Sequence, residues 1–234
     1  SDQLRPGAVS QVVVSRAIAF RAEFARSVPA PGRLYWRGVT FTHFDGDVWR
    51  TGDTDYGPAP SLTGSGKTDY TVALEPHGQR WLFALDLPVD SSSGTFITAD
   101  RTLMAIRRVT RRLQYSVQSL TDYKADRTDV PPPATLMLPD GSNPQARDLA
   151  RTWRAAGKEP AEIVQTALRY FSQNEFGYTL QAPLLSHQAI DEFLFRTRKG
   201  YCGHYATAFV FLMRAANIPA RVVVGYLGGD VNPF

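Results

Sequence analysis

The period of the hydrophobic pattern changes once along this chain, at a place marked by prolines. Residues 128–144 hold five prolines among Asp, Gly, Ser and Asn residues. Proline removes a ladder donor from a sheet, and its ring clashes with the preceding turn of a helix, so such a segment continues neither. Before it, apolar residues recur at every second position; after it, they follow the 3.6-residue spacing of helices. The expected fold class is α+β. We expect a β-rich domain over 1–127, a proline-rich linker over 128–143 and a helix-rich domain over 144–234.

Residues 9–50 read as strands. Ile18, Phe20, Ala22 and Phe24 alternate with Ala17, Ala19, Arg21 and Glu23, the pattern of a half-buried strand. Residues 39–44 and 47–50 flank Asp45-Gly46, a dipeptide suited to the positive φ angles of a tight hairpin. Residues 51–67, rich in Gly, Pro, Ser, Thr and Asp, predict a long loop. Strand patterns resume at Tyr70, Val72 and Leu74, at Trp81, Phe83 and Leu85, and over 95–98, 102–106 and 113–117. Short strands spaced this regularly argue for a β-sandwich-like module.

In the second half, Asn143-Pro144 opens a helix with Ala146, Leu149, Ala150 and Trp153 on one face, ended by Gly157. Pro160 opens another, with Ile163, Val164, Ala167, Leu168 and Phe171 on its buried side. A short third helix runs through Ile190, Phe193 and Leu194 to the basic residues 196–199. The only cysteine, Cys202, comes next, just after Gly200. From there Tyr205, Phe209, Leu212, Met213 and Ala216 share one helix face, Asn217 suits a left-handed stop and Pro219 prevents continuation. Residues 220–226 read as a strand. Cys202 is thus expected at a helix start, facing unpaired backbone N–H groups and the positive end of the dipole, with Arg198 and Lys199 nearby in sequence. These conditions favour a thiolate.

The run Gly200-Tyr201-Cys202-Gly203-His204-Tyr205-Ala206-Thr207-Ala208-Phe209, followed by Leu212-Met213-Arg214-Ala215-Ala216-Asn217-Ile218-Pro219-Ala220-Arg221, resembles the nucleophile region of the bacterial transglutaminase-like superfamily. More narrowly, it is similar to inner-membrane proteins carrying a periplasmic domain of that type. The resemblance is strong over 176–229, and extends more weakly to residues 34–38 and 44–49. One departure is Gly203, where relatives often have an acidic residue.

The resemblance implies a papain/transglutaminase-like core with the nucleophile heading a central helix. It implies protein-glutamine γ-glutamyltransferase-like chemistry at Cys202, with a protein or peptide amide as donor and an amine as acceptor; peptidoglycan-linked peptides are one substrate class. It also implies a histidine base and an orienting aspartate downstream. His43, His77, His187 and His204 do not stand there, and Asp230 precedes that place. The core is accordingly expected to be truncated, its His and Asp lying beyond Phe234. Location in the periplasm, in a membrane-anchored parent, follows from the same resemblance. The same fold also supports a cysteine peptidase or amidase, and a non-catalytic envelope scaffold or binding module is the reading from a different class.

His204 stands two residues after Cys202, and residues two apart on a helix do not face each other. It reads as structural. The net charge of +4 is spread with mixed sign, and Arg107, Arg108, Arg111 and Arg112 read as a solvated face, so no nucleic-acid partner is expected. No cofactor or metal is expected. A single cysteine excludes an internal disulfide, no run approaches the length of a membrane-spanning helix, and Ser1-Asp2-Gln3 is not a signal peptide.

Overall fold

The computed structural model describes residues 3–5, 17–52, 63–124 and 132–230. The expected strand pattern at 9–16, most of the loop at 51–67 and the first part of the proline-rich segment lie outside the described residues. The α+β class holds, in two compact units.

In the β-rich unit, strands Phe20–Phe24, Thr63–Leu74, Leu113–Lys124 and Leu87–Ser91 form one antiparallel sheet in that order. Alternation turns Tyr70, Val72, Leu74, Tyr115 and Val117 inward, where they pack with Trp36, Leu82, Phe83, Leu85 and Leu103. A second sheet, Val222–Leu227, Tyr35–Phe41 and Ala84–Leu85, completes a sandwich-like arrangement with the hairpin Thr95–Ile97 and Leu103–Ala105. Two buried tyrosines bond to the 83–85 backbone. The Tyr115 hydroxyl donates to the Phe83 carbonyl at 2.8 Å and accepts the Phe83 N–H at 3.1 Å. The Tyr70 hydroxyl accepts the Leu85 N–H at 2.6 Å. Burial pushes both phenols above their ordinary pKa.

Two features here differ from expectation. Residues 63–67 are not loop but the first part of a twelve-residue strand, held by pairing from Lys67↔Leu120 to Thr63↔Lys124. Cross-strand hydrogen bonds outweigh the poor β propensity of Gly64 and Gly66. Strand Leu87–Ser91 carries no strand signal in the sequence because Pro88 and Asp90 break it; it lies at the end of the sheet's strand order, where proline is tolerated.

The helical unit contains α1 (Pro144–Ala155), α2 (Pro160–Gln173), α3 (Ala189–Glu192, continued by a π-type turn Phe193–Thr197) and α4 (Cys202–Ala215). It also claims Phe41–Gly52 and the strand Gln3–Leu4. The structural units are therefore interleaved along the chain, unlike the sequential division at the proline-rich segment. The reason is packing: strands His43–Phe44 and Trp49–Arg50 form the anticipated hairpin, and it belongs with α4. At its tip the Asp45 carboxylate accepts the Val48 and Asp47 N–H groups at 2.7 and 3.0 Å, while Gly46 takes φ = 106°. The Phe44 and Trp49 rings stack at 4.6 Å, and the Trp49 indole donates to Thr207 Oγ1 at 3.0 Å.

α1 and α3 cap each other. Asn143 Oδ1 accepts the Ile190 and Asp191 N–H groups at 3.0 and 3.1 Å, and the buried Asp191 carboxylate accepts Gln145 and Ala146 N–H at 3.0 and 2.8 Å. Asn143 precedes α1 as anticipated, yet its side chain serves the other helix. On α2, Ile163 and Ala167 are buried, but Leu168 is 48% exposed rather than buried.

Candidate functional site

α4 is buried almost all the way round, so one apolar face under-describes it. Gly203, His204, Thr207, Ala208 and residues 210–214 are all buried, the environment of a central helix. Its far end closes as the sequence suggests: Asn217 is left-handed at φ = 58°, Ile218 N–H reaches the Met213 carbonyl at 2.8 Å, and Asn217 N–H reaches Arg214 at 2.9 Å. This paired pattern satisfies carbonyls that the helix end leaves open. Arg214, only 3% exposed, donates to the carbonyls of Ala220, Met137 and Thr42 at 2.8, 3.0 and 2.8 Å. Its guanidinium lies 4.9 Å from the Trp49 ring centre, and burial, helped by Arg221, lowers its pKa to about 10.

The near end presents the cysteine. Arg198, left-handed at φ = 49°, ends the turn after α3 and sends the chain into a short strand, Lys199–Gly200. That strand pairs in parallel with Gly177–Tyr178, with Gly177 N–H to Arg198 O and Thr179 N–H to Gly200 O both at 2.8 Å. Tyr201 is extended, α4 begins at Cys202, and the thiol-bearing residue is exposed. One turn later Tyr205 packs 5.1 Å from Phe193 and stacks on the exposed Tyr178 at 6.4 Å. Cys202 is therefore an exposed residue on a firmly anchored helix start. Arg198, close in sequence, instead donates to the Asn174 carbonyl at 3.1 Å and lies 6.0 Å over Phe176.

His204 is 2% exposed. Its Nδ1 accepts the Tyr201 N–H at 3.2 Å, and its ring meets Phe193 at 5.6 Å and Tyr201 edge-on at 4.4 Å. Burial lowers its pKa. Gly200 leaves room for this ring: a Cβ there would lie 2.7 Å from it.

His43 and His187 are exposed, and His77 stacks on Trp81 at 4.3 Å in the β-rich unit. Among the described residues no hydrogen bond links any histidine to Cys202, and no group of His, Cys, Asp and Glu side chains could hold a metal ion. A groove of about 530 Å³ belongs to the β-rich unit; Glu23, Asp69, Asp90 and Ser116 line it, and it holds neither cysteine nor histidine. No helix among the described residues is long and apolar enough to cross a membrane.

Two family profiles match the chain: the TgpA N-terminal domain over residues 1–126 and the transglutaminase-like superfamily over 147–233. The chain is 37% identical over its whole length to a protein-glutamine gamma-glutamyltransferase of Pseudomonas aeruginosa, and spans 36% of that protein. It is 34% identical to YebA of Bacillus subtilis over 98 residues, 41% of this chain and 13% of YebA. The crystal structure of the periplasmic domain of TgpA from P. aeruginosa matches with a TM-score of 0.92 at 36% identity, covering all of this chain and 82% of that one. The same domain bound to ethylmercury also gives 0.92, at 37% identity and 84% coverage. With its β-rich first half, its helical second half and an exposed cysteine heading the central helix, this chain belongs to the TgpA group of the transglutaminase-like superfamily.

Proposed function

We propose that Cys202 is the nucleophile of a cysteine-dependent acyl transfer on glutamine side chains. The observation that carries this reading is the exposed Cys202 at the first position of α4, on a helix otherwise sealed into the core. The first-turn N–H groups of a helix have no partners inside it, so negative charge developing on the oxygen of a tetrahedral adduct is favoured there. The thiolate attacks the carboxamide carbon, the C–N bond breaks, and ammonia leaves carrying an added proton. An amine then displaces the thiol from the thioester, giving a substituted amide. Water in place of the amine gives deamidation or peptidase-like hydrolysis.

Departure of ammonia needs a proton donor, and an imidazole supplies one while also accepting protons from the attacking groups. His204 does not fill this role: its Nδ1 is engaged by Tyr201 and its Nε2 is buried, whereas Cys202 is exposed. None of the described histidines is bonded to Cys202, and the P. aeruginosa domain is longer than the part this chain spans. The periplasmic setting of that domain and the name of the longer curated relative support a periplasmic protein with an envelope protein or peptide as glutamine donor.

The test is incorporation of a fluorescent primary amine into a glutamine-containing protein by the full-length parent, with Cys202→Ala alongside. Loss of at least 10³-fold is expected on removing the nucleophile. Equal incorporation by the two would overturn the assignment. Ethylmercury, which the P. aeruginosa domain binds, should add once to this 234-residue chain and not at all to its Cys202→Ala variant.

A further inference from the structure

We infer that His204 is a positioning residue for the nucleophile: it fixes the first turn of α4, and with it Cys202, by accepting the N–H of Tyr201. The inference rests on the assignment of Cys202 proposed above and goes beyond it to what holds the thiol in place. A helix start leaves its first N–H groups without partners inside the helix, and the residue three positions after the cap, usually Glu or Gln, can reach back to the cap's own N–H. Here the cap is Tyr201 and the third helical residue is His204, whose Nδ1 takes that N–H at 3.2 Å. The bonded N–H belongs to the residue directly before Cys202, and its bond sets the direction in which the chain enters the helix.

The choice of residue has a chemical consequence. A glutamate at this position would place a carboxylate beside the first turn, where it would compete with the thiolate for the positive end of the dipole. Neutral imidazole supplies an acceptor without charge. With Nδ1 accepting, the ring proton sits on Nε2, which is buried without a hydrogen-bond partner. The surroundings fit a neutral ring: Phe193 on one side, the edge of Tyr201 on another, and Gly200 where any side chain would collide. The Gly200 requirement and the orphaned Nε2 point the same way. Space and polar satisfaction have both been given up so that one nitrogen meets one amide.

Two substitutions separate hydrogen bond from shape. His204→Phe keeps a ring against Phe193 and Tyr201 but has no acceptor; His204→Asn loses the ring but carries Oδ1 the same number of bonds from Cα as Nδ1. The full-length parent is assayed for amine-transfer kcat and KM, for the rate of Cys202 alkylation by iodoacetamide at neutral pH, and for Tm. Phe is expected to lower kcat about tenfold and alkylation about three- to tenfold, with KM within twofold and Tm nearly kept. Asn is expected to hold kcat and alkylation within threefold of wild type while Tm falls. A residue that only fills space gives the opposite order, Phe near wild type and Asn impaired, and that order overturns the inference, as does wild-type behaviour from both. Alkylation reads the thiol without any transfer reaction, so failure of the acyl-transfer assignment would show as absent transfer in wild type while the alkylation rates still decide the role of His204.

Discussion

Replacing Arg214 by methionine should destabilise the helical unit by about 2–4 kcal/mol, a balance of two large opposing effects. The guanidinium donates three hydrogen bonds, to the carbonyls of Ala220, Met137 and Thr42, and no carboxylate is among these partners. A hydrogen bond involving a charged group contributes roughly 1.5–3 kcal/mol, so three lost bonds would cost roughly 5–9 kcal/mol. Against this, taking a charged group out of water costs several kcal/mol, and methionine, apolar and of similar reach, recovers that penalty. The bonds win because each carbonyl left behind is itself short of a partner. At roughly 2–4 °C per kcal/mol for a chain of this size, Tm should fall by about 5–15 °C. The control is Arg151→Met: Arg151 pairs with Asp148 at 2.8 Å on the surface, and its loss should change stability by no more than about 0.5 kcal/mol. Urea and thermal melts of both variants beside wild type make the measurement. If Arg214→Met were as stable as the control, the claim that this side chain ties three separate segments together would be wrong.

Two further stability changes are expected. Tyr115→Phe deletes one oxygen yet leaves both the N–H and the carbonyl of Phe83 unpaired in the sandwich core, so a loss of about 2–4 kcal/mol should appear in denaturant melts, and a loss under 0.5 kcal/mol would contradict the geometry. For pH, burial lowers the pKa of both His204 and His77 in the folded chain. The unfolded chain then binds more protons below the ordinary histidine value of about 6.5, so stability is full above that pH and declines as pH falls from there toward the lowered folded values. Urea midpoints from pH 8 to pH 5 should show that decline, and His204→Asn should flatten part of it; an unchanged slope in the variant would remove His204 from the account.

What the sequence disclosed is what short-range signals carry. Asp45-Gly46 marks its hairpin, Pro144 and Pro160 mark the starts of α1 and α2, and Asn217 marks the left-handed stop, because each sets backbone angles within a few residues. Cys202 at the head of α4 was legible for the same reason, from the helical spacing that follows it. The misread parts depend on partners far along the chain. Residues 63–67 form strand because 120–124 pair with them, and Asn143 turns its carboxamide to a helix more than 40 residues away. Leu168 sits on the apolar spacing of α2 yet is exposed, since periodicity marks a face without fixing how wide the contact on it is. Nor does any local pattern tell that Arg214, a charged residue on a helix, is sunk among carbonyls from residues 42, 137 and 220.

The bond between the Trp49 indole and Thr207 joins residues 158 positions apart, and on the ribosome that separation becomes a delay. At roughly 5–20 residues per second, Trp49 emerges about 8–30 seconds before its acceptor exists. Throughout that interval the stacked Phe44 and Trp49 rings have none of α4 to cover them, while the strands of the β-rich unit between them are already free to pair. The hairpin must wait as an adhesive surface on a half-made chain. A nascent polypeptide built this way depends on whatever shields apolar surface in transit, and cutting the gene within residues 128–143 would make the wait permanent.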